Sequence, residues 1–397
     1  MKRVYLTTIL TCAVILALFF GYFYLVNPFA VRDEIVVGFI YNNDDSTPYS
    51  YNFSLAQDAL EKQYGGQVQI LTCSNVIEEE TEEPLRDLVR RGCNIVFINT
   101  YSDQVAQVAR EFPEVTFCQV SYTDQMPAGL PDNYHTFKGE AYQARYVSGI
   151  AAGMKLRELI DQKLITADQA RVGFVAAFPT AEVISGYTAF LMGVRSVAPE
   201  ATMRVKYTGT WSSYTLEKSC ARQLIEEGCL VISQHCDTIG PALACEEAVQ
   251  ERYVYHVSYN QSMSDVAPLT SLISCRIDWV PYITGAVQAV MTHQPIEKVV
   301  VGTLHGERDM SAGFEQGWVL VEDLNQQLAA YGTQERMNRA IEQFRKGRRD
   351  FVFKGSYIGV DPDNPARTVD LSQGFIENER ASSPSFRYVL RDVIIIE

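Results

Sequence analysis

Val37-Gly38-Phe39-Ile40 is followed, 135 residues later, by Val172-Gly173-Phe174-Val175. Two more echoes keep the same order and almost the same spacing. Arg86-Asp-Leu88-Val89-Arg-Arg-Gly92-Cys93 returns as Arg222-Gln-Leu224-Ile225-Glu-Glu-Gly228-Cys229 at an offset of 136, and Val120-Ser121-Tyr122 returns as Val257-Ser258-Tyr259 at 137. One such match can arise by chance; three in order at a near-constant offset point to a duplicated domain. The period is too long for a solenoid, whose repeats run about 20–50 residues. The first phrase, apolar and β-branched, reads as a buried strand, and the second as a helix stopped by a glycine just past its charged last turn.

Working outward, short apolar runs predict strands at 35–40, 68–71, 94–98 and 115–120, and again at 172–176, 203–207, 230–233 and 254–258, with helical stretches between them. Alternating strand and helix implies parallel sheets covered on both faces, so the expected fold is α/β, two doubly wound lobes on one plan. After the second copy come a further apolar run at 269–275, a helix at 281–291, a short strand at 299–303 and a proline-rich loop and edge strand near 361–365. These extra elements predict that the chain passes between the lobes more than once, which makes a hinge. A chain of 397 residues fits two domains, because single cores stop growing near 250–300 residues.

The start of the chain is different in kind. After Lys2 and Arg3, residues 4–26 are apolar apart from threonines, a cysteine and tyrosines, and Asn27-Pro28 ends the run. That length spans a bilayer as a helix, and the leading basic residues place its N-terminus in the cytoplasm. The expectation is a retained membrane anchor with the rest of the chain outside the cytoplasm, a cleaved signal peptide being the rival reading. The formal charge is −14, or −16 once residues 1–33 are set aside, which repels nucleic acid and anionic headgroups. Of the cysteines, the eight beyond the anchor show no C-x-x-C and no zinc spacing, and are expected to be mostly buried thiols.

In open α/β sheets ligands sit beyond the carboxyl ends of strands. That rule selects Tyr41 through Ser46 with Tyr49 and Tyr51, Asn99-Thr100-Tyr101, Phe178-Pro179 with Glu182, Trp211, His235-Cys-Asp237, and Tyr259-Asn260. Rings stack on flat heterocycles, while carboxylates and amides read their edges and any sugar hydroxyls. Tyr41, Tyr122 and Tyr259 read equally as packing residues, Asp44-Asp45 as a turn or helix cap, and His235 as a structural hydrogen-bonder. No phosphate-binding glycine loop, nucleophile elbow or zinc-protease motif is present, and the histidines are scattered. Neither catalysis nor a cofactor is expected, and no metal.

At these residues the sequence resembles the basic membrane protein family, substrate-binding components of ABC importers that bind purine nucleosides or bases. The stretches that carry the resemblance are Gly173 to Gly186, Trp211 within Gly209-Thr-Trp-Ser, Gln234-His-Cys-Asp237, Tyr259-Asn260-Gln-Ser-Met263, Asp278-Trp279-Val-Pro281-Tyr, Pro131-Asp-Asn with Tyr142-Gln-Ala-Arg145-Tyr, and Phe353-Lys-Gly with Gly359-Val. The resemblance implies a type I periplasmic-binding-protein fold whose two lobes, joined by a three-segment hinge, close on ligand. It also implies ligand contacts from the loop after the first strand and from Trp211, Asp237, Asn260 and Asp278-Trp279. The first loop here, Asp44 to Tyr51, lacks the family's glycines, and an apolar helix stands where many members have a lipobox.

Together these readings give an anchor at 1–33, a first lobe of 34–136 with 275–300, and a second of 137–274 with 301–397. The expected ligand residues are Asp45, Tyr49, Tyr51, Phe178, Trp211, Asp237, Asn260, Asp278 and Trp279. The expected partners are a purine nucleoside or nucleobase, ABC permease and ATPase subunits, and the membrane through the N-terminal helix. Nucleic acid is excluded and a monomer is expected. The alternatives are a membrane-tethered sensor built on the same module and an enzyme acting on nucleosides through Asp44, Asp45 or Asp237.

Overall fold

The computed structural model describes residues 34–124 and 129–397. The anchor expected at 1–33 lies outside them, and no helix among the described residues is long and apolar enough to cross a membrane. In the first sheet β1 (Ile35–Ile40), β2 (Val68–Cys73), β3 (Ile95–Ile98), β4 (Thr116–Val120) and β5 (Tyr134–Gly139) run parallel in the order β2-β1-β3-β4-β5. In the second, β6 (Arg171–Ala176), β7 (Thr202–Tyr207), β8 (Val231–His235), β9 (Tyr255–Tyr259) and β10 (Ser271–Ile277) run parallel in the order β7-β6-β8-β9-β10. The two orders are the same once the elements are matched, so the repeated phrases are one topology built twice.

Helices α1 (Pro48–Tyr64), α2 (Glu82–Arg90) and α3 (Gln104–Glu111) connect the first set of strands. Helices α4 (Ala141–Asp161), α5 (Ala181–Arg195), α6 (Tyr214–Glu226) and α7 (Gly240–Ala248) serve the second. With helices on both faces the central strands are buried throughout, as in Ile-Val-Phe-Ile of β3. The echoed helix stops are also alike in detail. Gly92 and Gly228 sit at φ +89° and +83°, where glycine carries no Cβ penalty. Each closes its helix with a paired cap: Gly92 N donates to Val89 O and Cys93 N to Leu88 O, matched by Gly228 N to Ile225 O and Cys229 N to Leu224 O.

The chain crosses between lobes three times. It leaves β5 for α4, returns from β10 to α8 (Val280–Met291), which stacks Tyr282 on Phe137 of the first lobe at 3.8 Å, and passes through a helical turn α9 (Ile296–Val299). Strands β11 (Thr303–His305) and β12 (Asp309–Ala312) then extend the first sheet, and β13 (Val319–Glu322) returns to the second, antiparallel to β10. The crossings are bonded side by side: Glu140 N donates to Ala312 O at 2.9 Å and Asp278 N to Trp318 O at 2.8 Å. Gly139 lies among them. A Cβ there falls 2.6 Å from Ile277 Cγ2 and 2.9 Å from the Trp318 carbonyl, so only glycine lets the three segments approach this closely.

Several expected boundaries move. Residues 275–277 finish β10 and belong to the second sheet; 137–139 finish β5, and 303–312 form β11 and β12, all in the first. The strand expected at 299–303 is a helical turn followed by β11. Past α10 (Thr333–Arg345), the tail forms a small antiparallel sheet of β14 (Ile358–Val360), β15 (Thr368–Asp370) and β16 (Val389–Leu390), and ends in β17 (Val393–Ile396) on the edge strand β7. All eight cysteines of the described residues are free and seven are buried.

Candidate functional site

The carboxyl ends of both sheets face each other across a narrow cavity lined by residues of both lobes. It lies where each strand order reverses, between β1 and β3 on one side and β6 and β8 on the other, the place where doubly wound sheets bind ligands.

The first lobe supplies amides, two tyrosine rings and a carboxylate. Asn99, just past β3, accepts from the Asn42 backbone N–H at 2.8 Å and so ties the ends of β1 and β3 together, while its Nδ2 has no partner among the described residues. Tyr101 stacks on Tyr122 at 5.5 Å, and Tyr49 of α1 stands edge-on to Trp279 at 6.2 Å. Both Tyr49 and Tyr101 line the cavity, as does Glu78 at its edge.

The second lobe supplies rings, carboxyl groups and one amide. Trp211 packs on Phe178 at 5.3 Å, and its carbonyl accepts from Asp237 N at 2.9 Å, which sets the Asp237 loop against it. His235 meets the Tyr259 ring at 4.6 Å, and the buried guanidinium of Arg145 lies 3.6 Å from the centre of that ring. Burial, aided by the charges of Arg145 and Lys138, holds His235 well below its ordinary pKa, so it is neutral. Asn260 adopts φ +64°, a conformation asparagine tolerates better than most residues, and is 2% exposed with neither end of its amide partnered. Asp237, 8% exposed, accepts no hydrogen bond from the described residues. Burial, with Glu217 and Glu182 nearby, pushes its carboxyl up to about 8.

Of the residues expected from sequence, Tyr49, Trp211, Asp237 and Asn260 line the cavity. Phe178 stands behind Trp211 and supports it. Asp45 is exposed on the loop before α1, and Tyr51, 40% exposed, is on the outer side of that helix. Trp279 lies in the first-lobe core, 4.9 Å from Phe53 and 5.7 Å from Phe137, because the second crossing carries it away from the sheet end that precedes it. Asp278 is spent on the start of α8, accepting from Val280 N at 3.2 Å. Sequence reasoning gave no role to Glu78, Lys138 or Arg145; the last was visible only as part of Tyr142-Gln-Ala-Arg145-Tyr. No group of residues suited to a metal ion occurs among the described residues.

Two lobes hinged by three crossings, with a ring-lined polar cleft at their facing strand ends, make the architecture of a two-lobe α/β binding protein. The chain belongs to the Bmp family, ABC transporter substrate-binding protein PnrA-like, whose model matches residues 35–347. A purine-binding protein of Brucella abortus is 26% identical over 264 residues, covering 66% of this chain and 70% of that one. A putative ABC transporter glucose-binding protein of Haloferax volcanii is 28% identical over 237 residues, 59% of this chain and only 55% of the relative's length. Among solved structures, a solute-binding protein of an ABC transporter system from Aeropyrum pernix shares the fold at TM-score 0.63 with 16% identity, covering 79% of this chain and 92% of that one.

Proposed function

We propose that the protein captures a purine nucleoside or nucleobase outside the cytoplasm, by closure of the two lobes, and delivers it to an ABC permease with its ATPase. The observation that carries this reading is the pairing of cavity-lining rings, Trp211, Tyr101 and Tyr259, with the unpartnered Asn99 amide nitrogen, the unpartnered Asn260 amide and the unpartnered carboxyl of Asp237. Rings favour a flat solute, at about 1–3 kcal/mol per stacked base, and uncompensated amides require one that both donates and accepts. The purine named for the Brucella relative agrees with this chemistry. Contacts drawn from both lobes exist together only when the cleft is shut, so ligand shifts the balance between open and closed forms by its differential affinity. A membrane-tethered monomer, held by the N-terminal segment, completes the proposal.

The Haloferax relative's name raises a hexose as the second reading, since sugars also stack on rings and bond to carboxylates. Titration calorimetry and thermal shift of the purified protein against adenosine, inosine, guanosine, adenine, glucose and galactose separate the two. Heat and stabilisation from at least one purine are expected. A panel in which only hexoses bind replaces the ligand assignment, and recovery of a chemically altered solute replaces binding with catalysis.

A further inference from the structure

Lys138 is the fifth residue of β5 in the first lobe, and its side chain is 2% exposed with Nζ aimed toward the cleft. Three oxygens receive it. Two belong to its own lobe, the Ser121 carbonyl at 3.0 Å and the Tyr101 hydroxyl at 3.2 Å. The third is Glu182 Oε2, 2.8 Å away on the first turn of α5 in the opposite lobe. The same carboxylate oxygen accepts from the Tyr101 hydroxyl at 2.9 Å. Lys138 Nζ also lies 5.2 Å over the Tyr101 ring, which is itself stacked on Tyr122.

The first lobe thus presents an ammonium and a hydroxyl held by its own strands and rings, and the second lobe presents one carboxylate to them. Glu182 and Tyr101 both line the cavity, so this contact sits at the edge of the solute's space. Separating the lobes breaks two charge-assisted hydrogen bonds at once and leaves Lys138 with its Ser121 and Tyr101 partners only. Bonds of this kind are stronger than neutral ones, and a buried charge that loses its partner is costly.

We infer that Glu182 is a positioning residue for solute capture: it docks into a first-lobe socket made by Lys138 and Tyr101, giving cleft closure a component that the protein supplies itself. The bound solute then completes a closure already favoured by this contact, and its apparent affinity includes the fraction of molecules in which Glu182 is docked. Lys138, matched by Glu182, brings no net positive charge to the cavity edge. The inference rests on the hinged-cleft reading above but not on the identity of the solute.

The test is hydrogen–deuterium exchange on the full chain without added solute, comparing wild type, Glu182→Gln and Tyr101→Phe. Glu182→Gln is expected to speed exchange in the first-lobe segment 99–104, across the cleft from the substitution, by at least about tenfold, as loss of a charge-assisted bond predicts. Tyr101→Phe, which removes one of the two bonds, should give a smaller rise in α5 residues 181–186. Segments 95–98 and 172–176, inside the sheets, should not change in either variant. Unchanged exchange at 99–104 in Glu182→Gln overturns the inference, and so does a rise that extends equally into the sheet segments, because that reports general loosening. The readout needs no ligand, so a failed solute panel would count against the ligand assignment and leave this result to be judged alone.

Discussion

Asp237→Asn offers the most informative perturbation of the site, because the structure fixes the sign of its effect on stability and bounds its size. The carboxyl is 8% exposed, accepts no hydrogen bond from the described residues, and is pushed up to about 8 by burial and by Glu217 and Glu182. In the unfolded chain it titrates near 3.8. Between these values the folded protein keeps a proton that the unfolded chain has released, so this group's contribution is greatest below pH 4 and is lost as pH rises to about 8. Each unit is about 1.4 kcal/mol, so the interval from pH 5 to pH 8 spans roughly 4 kcal/mol as an upper bound. Asparagine keeps the shape and does not titrate. The variant should therefore match wild type only below about pH 4, already lead it at pH 5, and surpass it progressively toward pH 8. Burial lowers His235 and, to about 3, His256, so both destabilise the fold in acid; they are present in both proteins and cancel in the difference. Urea unfolding of wild type and variant at unit intervals from pH 5 to pH 9 measures it. A difference in unfolding free energy that stays constant across this range would refute the reasoning, since it would mean that Asp237 is ionised throughout.

Two further outcomes follow from the geometry. Trp211→Ala should leave the fold intact but weaken solute binding by about 1–3 kcal/mol, roughly five- to 150-fold, with Phe178 losing its ring partner; unchanged affinity by calorimetry reduces Trp211 to packing. Gly139→Val should destabilise by about 1–3 kcal/mol through overpacking against Ile277 and the Trp318 carbonyl and should alter the angle between lobes, read by thermal melting and small-angle scattering; a wild-type melting point with unchanged scattering removes the hinge role given to this residue.

The parts of the fold visible in the sequence are those whose cause is local. Strand β3 is apolar because both its faces are covered, and Gly92 and Gly228 are glycines because a helix end needs a positive φ; both signals survive without knowledge of the rest. Strand β5, Tyr-His-Thr-Phe-Lys-Gly, did not read as a strand, although all six residues are buried. Its polar members are satisfied from far away: Thr136 Oγ1 by Asp309, His135 by Glu297 and Lys138 by Glu182. A buried polar residue looks exposed until its partner is known, and these partners lie 173, 162 and 44 residues along the chain. The same limit explains Trp279 and Asp278. Both follow a strand of the second sheet, and only the crossing shows that one belongs to the other lobe's core and the other to a helix start.

Duplication sharpens what the remaining differences mean. Equivalent strand ends in two copies of one scaffold begin with the same geometry, so contrasts between them reflect what each wall of the cleft must offer. Past β1 and β3 the first lobe places Asn42 and Asn99, bonded to each other and leaving the Asn99 amide nitrogen free. Past β6 and β8 the second places Phe178 behind Trp211, then His235 and Asp237. The Asn99 amide nitrogen on one wall and Trp211, Asp237 and the Asn260 amide on the other mean that a flat polar solute meets all of these groups only between the two lobes. A solute that bonded fully to one open lobe would gain nothing from closure; one that needs both walls ties its affinity to the closed form. On the function proposed above, this asymmetry makes closure the step that recognises the solute, and the inferred docking of Glu182 on Lys138 across the same gap gives that step a protein contact of its own.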